Sequence, residues 1–174
     1  MTELDPTGLS RRRSLAAAAT LGAAALLGLA GCAGGEAAPN STFVLLDGSK
    51  ATTADLKGKV TLVNFWATTC VSCVKEMPQI VATWHKYQAQ GFDTVAVAME
   101  YDPPNWVLNF AQSRQLPFKV ALDNTGEVAQ QWGDVKLTPT TYLVDKQGRI
   151  VKRYVGEPDF AALHQLIEKL LAQT

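Results

Sequence analysis

The chain has 174 residues, of which 47% are hydrophobic, so it has room for one globular domain of ordinary size and short extensions. Its 16 basic and 16 acidic side chains balance. That balance excludes nucleic acid as a partner, because phosphate binding needs a clustered excess of basic residues, and the one run of three is Arg11, Arg12 and Arg13.

The first segment is typical of an export signal. The three arginines precede an uncharged, Ala- and Leu-rich run of 17 residues, 14–30, which ends in small residues. A positive region, a short apolar region and a small-residue exit describe a secretory signal peptide. The alternative is a transmembrane helix, which needs roughly 20 strongly apolar residues, and this run is marginal for that.

The exit of this run, Leu-Ala-Gly-Cys at 29–32, resembles the lipobox of bacterial lipoprotein precursors. The resemblance implies that residues 1–31 are a cleaved lipoprotein signal peptide and that Cys32 becomes a lipidated N-terminus anchored in a membrane. The alternative is cleavage elsewhere, which would leave a free thiol at Cys32. Residues 10–15 also resemble a twin-arginine export signal, with the general secretory route as the alternative. We expect 32–41 to be a lipidated, flexible tether, because it is small, polar and broken by Gly and Pro.

Apolar runs and turn signals alternate through the expected domain, 42–174. In chain order they predict a strand at 43–48, an irregular stretch at 51–59, a doubly buried strand at 60–67, a helix at 73–90, a strand at 93–99, a helix at 103–115, a strand at 119–122, a short helix at 126–132, a hairpin turning at 146–148 and a helix at 158–172. This order implies an α/β fold, a mixed sheet with helices on both faces.

Two of the three cysteines, Cys70 and Cys73, stand between the doubly buried strand and the first helix. A thiol in the first turn of a helix lies at the positive end of the helix dipole, which stabilises its thiolate, so Cys70 is the better nucleophile. Cys73 is three residues further on and lies on the same face, close enough to attack a mixed disulfide formed by Cys70. The spacing therefore favours disulfide exchange.

Three other interpretations of this pair are weaker. Half a zinc site would need two more ligands, and the available histidines, His85 and His164, are poorly placed for that. A purely structural disulfide between residues i and i+3 closes almost no loop and adds little stability. Two reduced core cysteines would not explain their position at a strand-to-helix corner.

The segments NFWATTCVSCVKEMP and LTPTTYLVDKQGRIVKRYVG together resemble the thioredoxin superfamily, in its TlpA/ResA-like branch of membrane-anchored thiol-disulfide oxidoreductases. The resemblance runs from about Thr42 to the C-terminus. It implies a thioredoxin-like fold, a central mixed β-sheet flanked by helices, with an N-terminal β extension and a central strand-helix insertion. It also implies that Cys70 attacks, that Cys73 resolves, that Pro139 is a cis-proline, and that Thr138 offers its backbone to the substrate.

Further site residues follow from the same resemblance. Glu76 matches the Glu that follows the CxxC motif in ResA-like members, which implies a proton-handling or recognition carboxylate; an exposed acid at a helix start is the alternative. Asn64 stands where thioredoxins have a buried Asp. Trp66 is expected beneath the active site as a contributor to substrate binding, or else as core filler. We expect Asp102 to be a solvated loop acid, although it ends a strand near the site, and Trp106 to lie in the core.

The sequence thus predicts a cell-envelope thiol-disulfide oxidoreductase that reduces disulfides in exported client proteins, as relatives do in cytochrome c maturation or oxidase assembly. Such a reductant needs a membrane thiol electron donor, and it needs no cofactor or metal beyond the disulfide Cys70–Cys73. A thiol peroxidase is one alternative, but its Pro-x-x-x-Thr-x-x-Cys pattern is missing, since Val63 and Ala67 fill the Pro and Thr positions. A Cu(I) carrier that uses both cysteines is another, disfavoured because no third ligand is well placed.

Overall fold

A computed structural model describes residues 35–173 of the chain. The strands are β1 (Glu36–Ala37), β2 (Thr42–Leu45), β3 (Lys50–Thr52), β4 (Val60–Trp66), β5 (Phe92–Ala98), β6 (Lys119–Leu122), β7 (Thr140–Val144) and β8 (Arg149–Val155). The α-helices are α1 (Val71–Tyr87), α2 (Pro104–Ser113), α3 (Glu127–Gln131) and α4 (Phe160–Leu171). Short 3-10 helices lie at Thr53–Leu56 and Gln88–Gln90.

The strands form one mixed sheet in the order β1-β8-β7-β4-β5-β6-β2-β3. The pairs β4 with β5 and β5 with β6 are parallel, and the other neighbours are antiparallel. Parallel neighbours need a crossover, and α1 and α2 supply the two that this sheet requires. The carboxyl ends of β4 and β5 therefore meet at one edge of the sheet, the edge where open α/β sheets bind their ligands.

The central strand β4 is buried along its whole length, as its β-branched and aromatic sequence predicts. Its side chains alternate between two cores, because successive residues of a strand point to opposite faces. Leu62 and Trp66 pack with residues of α1, α2 and α4, whereas Val63 and Phe65 pack with residues of α3 and β7. Helices therefore cover both faces, and the predicted thioredoxin-like mixed sheet is confirmed.

Two local predictions are wrong. The expected tether 32–41 is ordered from residue 35 on: Glu36 and Ala37 pair with β8, and Ser41 is buried with its N–H donated to Thr53 Oγ1 over 3.0 Å. The expected irregular stretch 51–59 contains the end of β3 and a 3-10 helix, whose first turn is closed by a capping box between Thr52 and Asp55. The first segment depends on a distant partner, β8, whereas the second is held by β2 and by the bond between Thr52 and Asp55 close by in the sequence.

The predicted signal peptide 1–31 and the lipidated Cys32 lie outside the described residues. Within 35–173, no helix is long and apolar enough to cross a membrane.

Candidate active site

The loop after β4 leads into a disulfide between Cys70 and Cys73 at the start of α1. Cys70 is the N-cap residue of this helix, and its Sγ accepts the backbone N–H of Cys73 over 3.2 Å. N-cap positions favour side chains that accept such bonds, because the first N–H groups of a helix have no partner within it. The structure thus brings together the two cysteines that the sequence singles out.

The two sulfurs differ in exposure. Cys70 is partly exposed, whereas Cys73 is fully buried in the core that α1 shares with β4. An incoming disulfide or thiol can therefore reach Cys70 and not Cys73. The N–H of Cys73 and the positive end of the α1 dipole would both stabilise a thiolate on Cys70.

Glu76 lies one helical turn after Cys73 and is also fully buried. Its Oε1 accepts a hydrogen bond of 3.0 Å from Asn64 Nδ2, and the same amide donates to Thr141 Oγ1 over 2.9 Å. Asn64 and Thr141 face each other in the antiparallel pairing of β4 with β7, which places both under the helix. The alternative of an exposed acid at the helix start is therefore wrong.

Burial raises the pKa of Glu76 to about 7, against the smaller lowering effect of the Asn64 hydrogen bond; the charge of Glu157 raises it further. The second carboxyl oxygen, Oε2, has no hydrogen-bond partner in the described chain. A carboxyl group with a pKa near neutrality and one oxygen unoccupied can accept or release a proton at physiological pH. Glu76 and Cys73 are three residues apart in α1 and therefore lie on the same side of the helix.

The loop before β7 forms the second side of the site. The peptide bond between Thr138 and Pro139 is cis, as the resemblance implies. The carbonyl of Pro139 accepts the N–H of Gly156 over 2.8 Å, while Thr138 lies just outside the strand ladder and is partly exposed. Since Thr140 pairs with Phe65, this loop lies beside the carboxyl end of β4, from which the Cys70 loop departs.

The indole of Trp66 is fully buried, so the predicted contact of this residue with substrate is wrong. Its ring packs against Phe110 of α2 with the centroids 5.1 Å apart, in the same core as Cys73. Trp66 therefore supports the site from below. Trp106, expected in the core, is 51% exposed.

The expectation that Asp102 is a solvated loop acid is wrong, because this residue is only 2% exposed, and sequence reasoning missed its burial. Its carboxylate accepts the backbone N–H of Thr68 over 2.6 Å and the hydroxyl of Thr68 over 2.5 Å. Thr68 belongs to the loop before Cys70. The only local signal was the position of Asp102 after β5, at the same sheet edge as this loop.

Three large side chains on the loops and helix start of the site are exposed. Val71 is 84% exposed, Leu137 is 66% exposed and Tyr101 is 54% exposed. The Tyr101 hydroxyl lies 3.2 Å from Thr138 Oγ1, which connects the loop after β5 with the cis-proline loop. Among residues 35–173, no group of three or more His, Cys, Asp or Glu side chains is arranged to hold a metal ion.

A thioredoxin-like fold that carries a CxxC disulfide at a helix N-terminus beside a cis-proline loop defines a thiol-disulfide oxidoreductase. The Redoxin family model matches residues 33–167, and the chain belongs to this family. Similar curated proteins include the thiol-disulfide oxidoreductase ResA of Bacillus thuringiensis, 36% identical over 137 residues that cover 78% of each chain. ResA of Bacillus subtilis is 34% identical over 130 residues, which cover 75% of this chain and 72% of that one.

Solved structures agree with this assignment. A thioredoxin candidate from Neisseria meningitidis is 40% identical and superposes with a TM-score of 0.75, covering 81% of this chain and 93% of its own. A thiol:disulfide interchange protein from Chlorobium tepidum is 26% identical, with a TM-score of 0.72 and coverage of 80% and 99%. The predicted enzyme class is confirmed: this protein is a thiol-disulfide oxidoreductase, and its partners include disulfide-containing substrates.

Proposed function

We propose that this oxidoreductase works outside the cytoplasm as a reductant, anchored by lipid at Cys32, and that it reduces disulfides in exported client proteins. The clients would be apo-proteins of cytochrome c maturation or of oxidase assembly, the classes that the resemblance implies. A membrane thiol protein would return the enzyme to its dithiol form. The export signal predicted from the sequence and the Leu-Ala-Gly-Cys motif support the location and the anchor.

The reaction has two exchange steps. The Cys70 thiolate attacks one sulfur of the client disulfide, which forms a mixed disulfide and releases one client thiolate. Cys73 then attacks Cys70 Sγ, which releases the second client thiolate and closes the disulfide Cys70–Cys73. Two electrons pass to the client, and the proton of the Cys73 thiol passes to Glu76. Thr138, with its backbone held out by Pro139, pairs with the client chain during the attack.

The observation that carries the direction of electron flow is the environment of the two sulfurs. Strong oxidants owe their potential to a reduced form whose thiolate is strongly stabilised. Here Cys73 is buried one turn from a carboxyl group, and the residues between the cysteines, Val71 and Ser72, carry no positive charge. The neighbouring ammonium of Lys75 lies 3.4 Å from Glu157 and is engaged there. The helix N-terminus and the Ser72 hydroxyl, 3.4 Å from Cys70 Sγ, favour the thiolate without help from a cation, so we expect a low reduction potential.

Equilibrium titration tests this direction. A Cys32→Ser variant, in which Cys70 and Cys73 are the remaining thiols, is equilibrated with glutathione and dithiothreitol buffers, and its thiols are counted by alkylation. We expect a two-electron midpoint well below about −220 mV, among the reductants. A midpoint near about −120 mV would make the protein an oxidant of exported thiols and would refute the reductase proposal.

Trapping identifies the client. Cys73→Ser should accumulate a mixed disulfide through Cys70, whereas Cys70→Ser should accumulate none. Mass spectrometry of the trapped species identifies the client, and a client without a reducible disulfide would contradict the proposal.

The lipid anchor needs a separate test. Mass spectrometry of the mature N-terminus should show acylated Cys32, and an unmodified thiol or a terminus elsewhere would contradict the anchor.

A further inference from the structure

The hydrogen-bonded pair of Asp102 and Thr68 serves no step of the exchange described above. The two residues are 34 positions apart, and Asp102 accepts bonds of 2.6 Å and 2.5 Å from Thr68. Burying a carboxylate is costly unless its oxygens accept hydrogen bonds, and Thr68 supplies one donor to each oxygen of Asp102. We call this arrangement the Asp102–Thr68 fork.

The fork holds the short loop that carries Cys70. Residues 67–69 connect the end of β4 to Cys70, and loops of this kind are the least constrained parts of a fold. The Cys70 N–H donates to Ala67 O over 3.2 Å, which closes the loop on itself, and Met99 N–H donates to Trp66 O over 3.0 Å at its base. In the described structure the fork supplies the side-chain hydrogen bonds between residues 67–69 and the rest of the domain.

Asp102 is itself well fixed. Its N–H donates to Met99 O over 2.9 Å, and α2 begins two residues later at Pro104. The neighbouring residue, Tyr101, contacts Thr138 of the cis-proline loop. The connection between β5 and α2 therefore touches both loops of the active site, one through Asp102 and the other through Tyr101.

The fork matters most once the disulfide is reduced. In the oxidised form the bond to Cys73 holds Cys70 over the start of α1. After reduction that covalent link is gone, and the position of Cys70 Sγ depends on its loop. A thiolate gains from a helix N-terminus only within reach of its N–H groups, since the effect falls off within the first turn.

We propose that Asp102 is a positioning residue that acts through Thr68 to keep the reduced Cys70 sulfur over the N-terminus of α1. The fork thereby stabilises the attacking thiolate. This inference rests on the thiol-disulfide exchange activity, and it is independent of the direction in which electrons flow in the cell.

The test measures the reactivity of Cys70 in the reduced Cys32→Ser protein, as the rate of alkylation by iodoacetamide between pH 5 and pH 10. Asp102→Ala removes the fork, and we expect it to move the Cys70 titration to higher pH and to slow alkylation at pH 7 by up to about tenfold, the change that follows one unit of pKa. Asp102→Asn keeps the fork, because its Oδ1 accepts the Thr68 N–H and its Nδ2 donates to the Thr68 hydroxyl. We expect this variant to retain most of the wild-type rate.

Asp123→Ala is the matched control. Asp123 is also 2% exposed and its carboxylate accepts two bonds, from Val128 N–H over 3.1 Å and Ala129 N–H over 2.8 Å, but it holds α3. We expect this variant to lose thermal stability and to keep the Cys70 profile. If Asp102→Ala fails to fold, Thr68→Val, which removes one of the two bonds, replaces it and should give a smaller shift in the same direction.

Two results would overturn the proposal. One is an alkylation profile of Asp102→Ala, or of Thr68→Val in its place, that superposes on wild type. The other is an Asp102→Asn profile shifted to higher pH as far as that of Asp102→Ala, which would show that the hydrogen bonds of the fork do not set the Cys70 profile, since loss of the charge alone would shift it to lower pH. Because the assay uses no client and no redox buffer, neither result depends on whether the protein is a reductant.

Discussion

The buried carboxyl group of Glu76 should make the stability of the oxidised protein depend on pH. In the folded chain its pKa is raised to about 7 from an ordinary value of 4.5. Below pH 4.5 the group is protonated in both the folded and the unfolded states, and it contributes nothing to the pH dependence. Between pH 4.5 and 7 the unfolded chain releases its proton while the folded chain keeps it, so stability falls as pH rises. Above pH 7 the loss is complete.

The size of this loss follows from the shift. A difference of about 2.5 pKa units, at 1.36 kcal/mol each, amounts to about 3 kcal/mol of unfolding free energy. That is a substantial fraction of the roughly 5–15 kcal/mol that stabilises a typical domain. Glu76→Gln should remove this pH dependence, because an amide does not titrate and its Oε1 can still accept the bond from Asn64.

The assay is urea denaturation of oxidised wild type and Glu76→Gln at several pH values from 4.5 to 8.5. The difference in unfolding free energy between the two proteins is the quantity to follow. Burial lowers the pKa of His164, so its contribution has the opposite sign, stability rising with pH up to about 6.5. This contribution is common to both proteins and cancels in the difference.

Glu157→Gln is the control, since it makes the same change at a salt-bridged carboxylate. The charge of Glu157 raises the pKa of Glu76 less than burial does. We expect it to keep most of the wild-type pH dependence. If the wild-type and Glu76→Gln curves run parallel across the range, Glu76 does not titrate near neutrality, and its proposed proton exchange with Cys73 fails with it.

Three further substitutions test other parts of the structure. Leu137→Ser changes an exposed apolar position beside Thr138. We expect it to raise KM for a protein disulfide several-fold and to leave the melting temperature unchanged. An unchanged KM would remove Leu137 from the client-binding surface. Asp159→Ala removes the helix cap that accepts the N–H groups of Ala161 and Ala162. Urea denaturation should show that it lowers the free energy of unfolding by about 1 kcal/mol, whereas Asp159→Asn should stay close to wild type. Equal losses in both variants would contradict the capping role. Leu163→Ala changes a fully buried position. By the same method it should lower the free energy of unfolding by about 3 kcal/mol, and it should leave the alkylation rate of Cys70 in the folded protein unchanged. A loss below about 1 kcal/mol would contradict the place of Leu163 in the core.

The elements that the sequence predicts well are those whose signal is local. β4 is a continuous β-branched and aromatic run, and it is buried throughout. The hairpin between β7 and β8 turns where Gly148 adopts a positive φ of 81°, and Asp145 accepts the N–H groups of Gln147 and Arg149. The signal for the two cysteines is equally local, because a strand end followed by a helix start is sufficient to place them.

The strands that the sequence misses have no such signal. Glu36 and Ala37 are charged or small, with Gly35 before them and Pro39 two residues after them, which is typical of a linker. Their pairing with Arg149 and Ile150 joins segments more than a hundred residues apart. Whether a segment forms a strand depends mostly on how its side chains pack against the neighbouring strand, so no local pattern could have predicted this pairing.

The two buried carboxyl groups of the site show where local reasoning stops. Glu76 is buried because the register of β4 with β7 places Asn64 and Thr141 beneath it, and Asp102 is buried because β5 ends beside the Cys70 loop. Both positions have the sequence features of ordinary surface acids. Their hydrogen bonds then assign different tasks: Thr68 occupies both oxygens of Asp102, which suits a fixed support, whereas Glu76 keeps Oε2 without a partner, which suits proton exchange. A substitution that keeps hydrogen-bonding geometry but removes the charge should therefore spare the function of Asp102 and abolish that of Glu76.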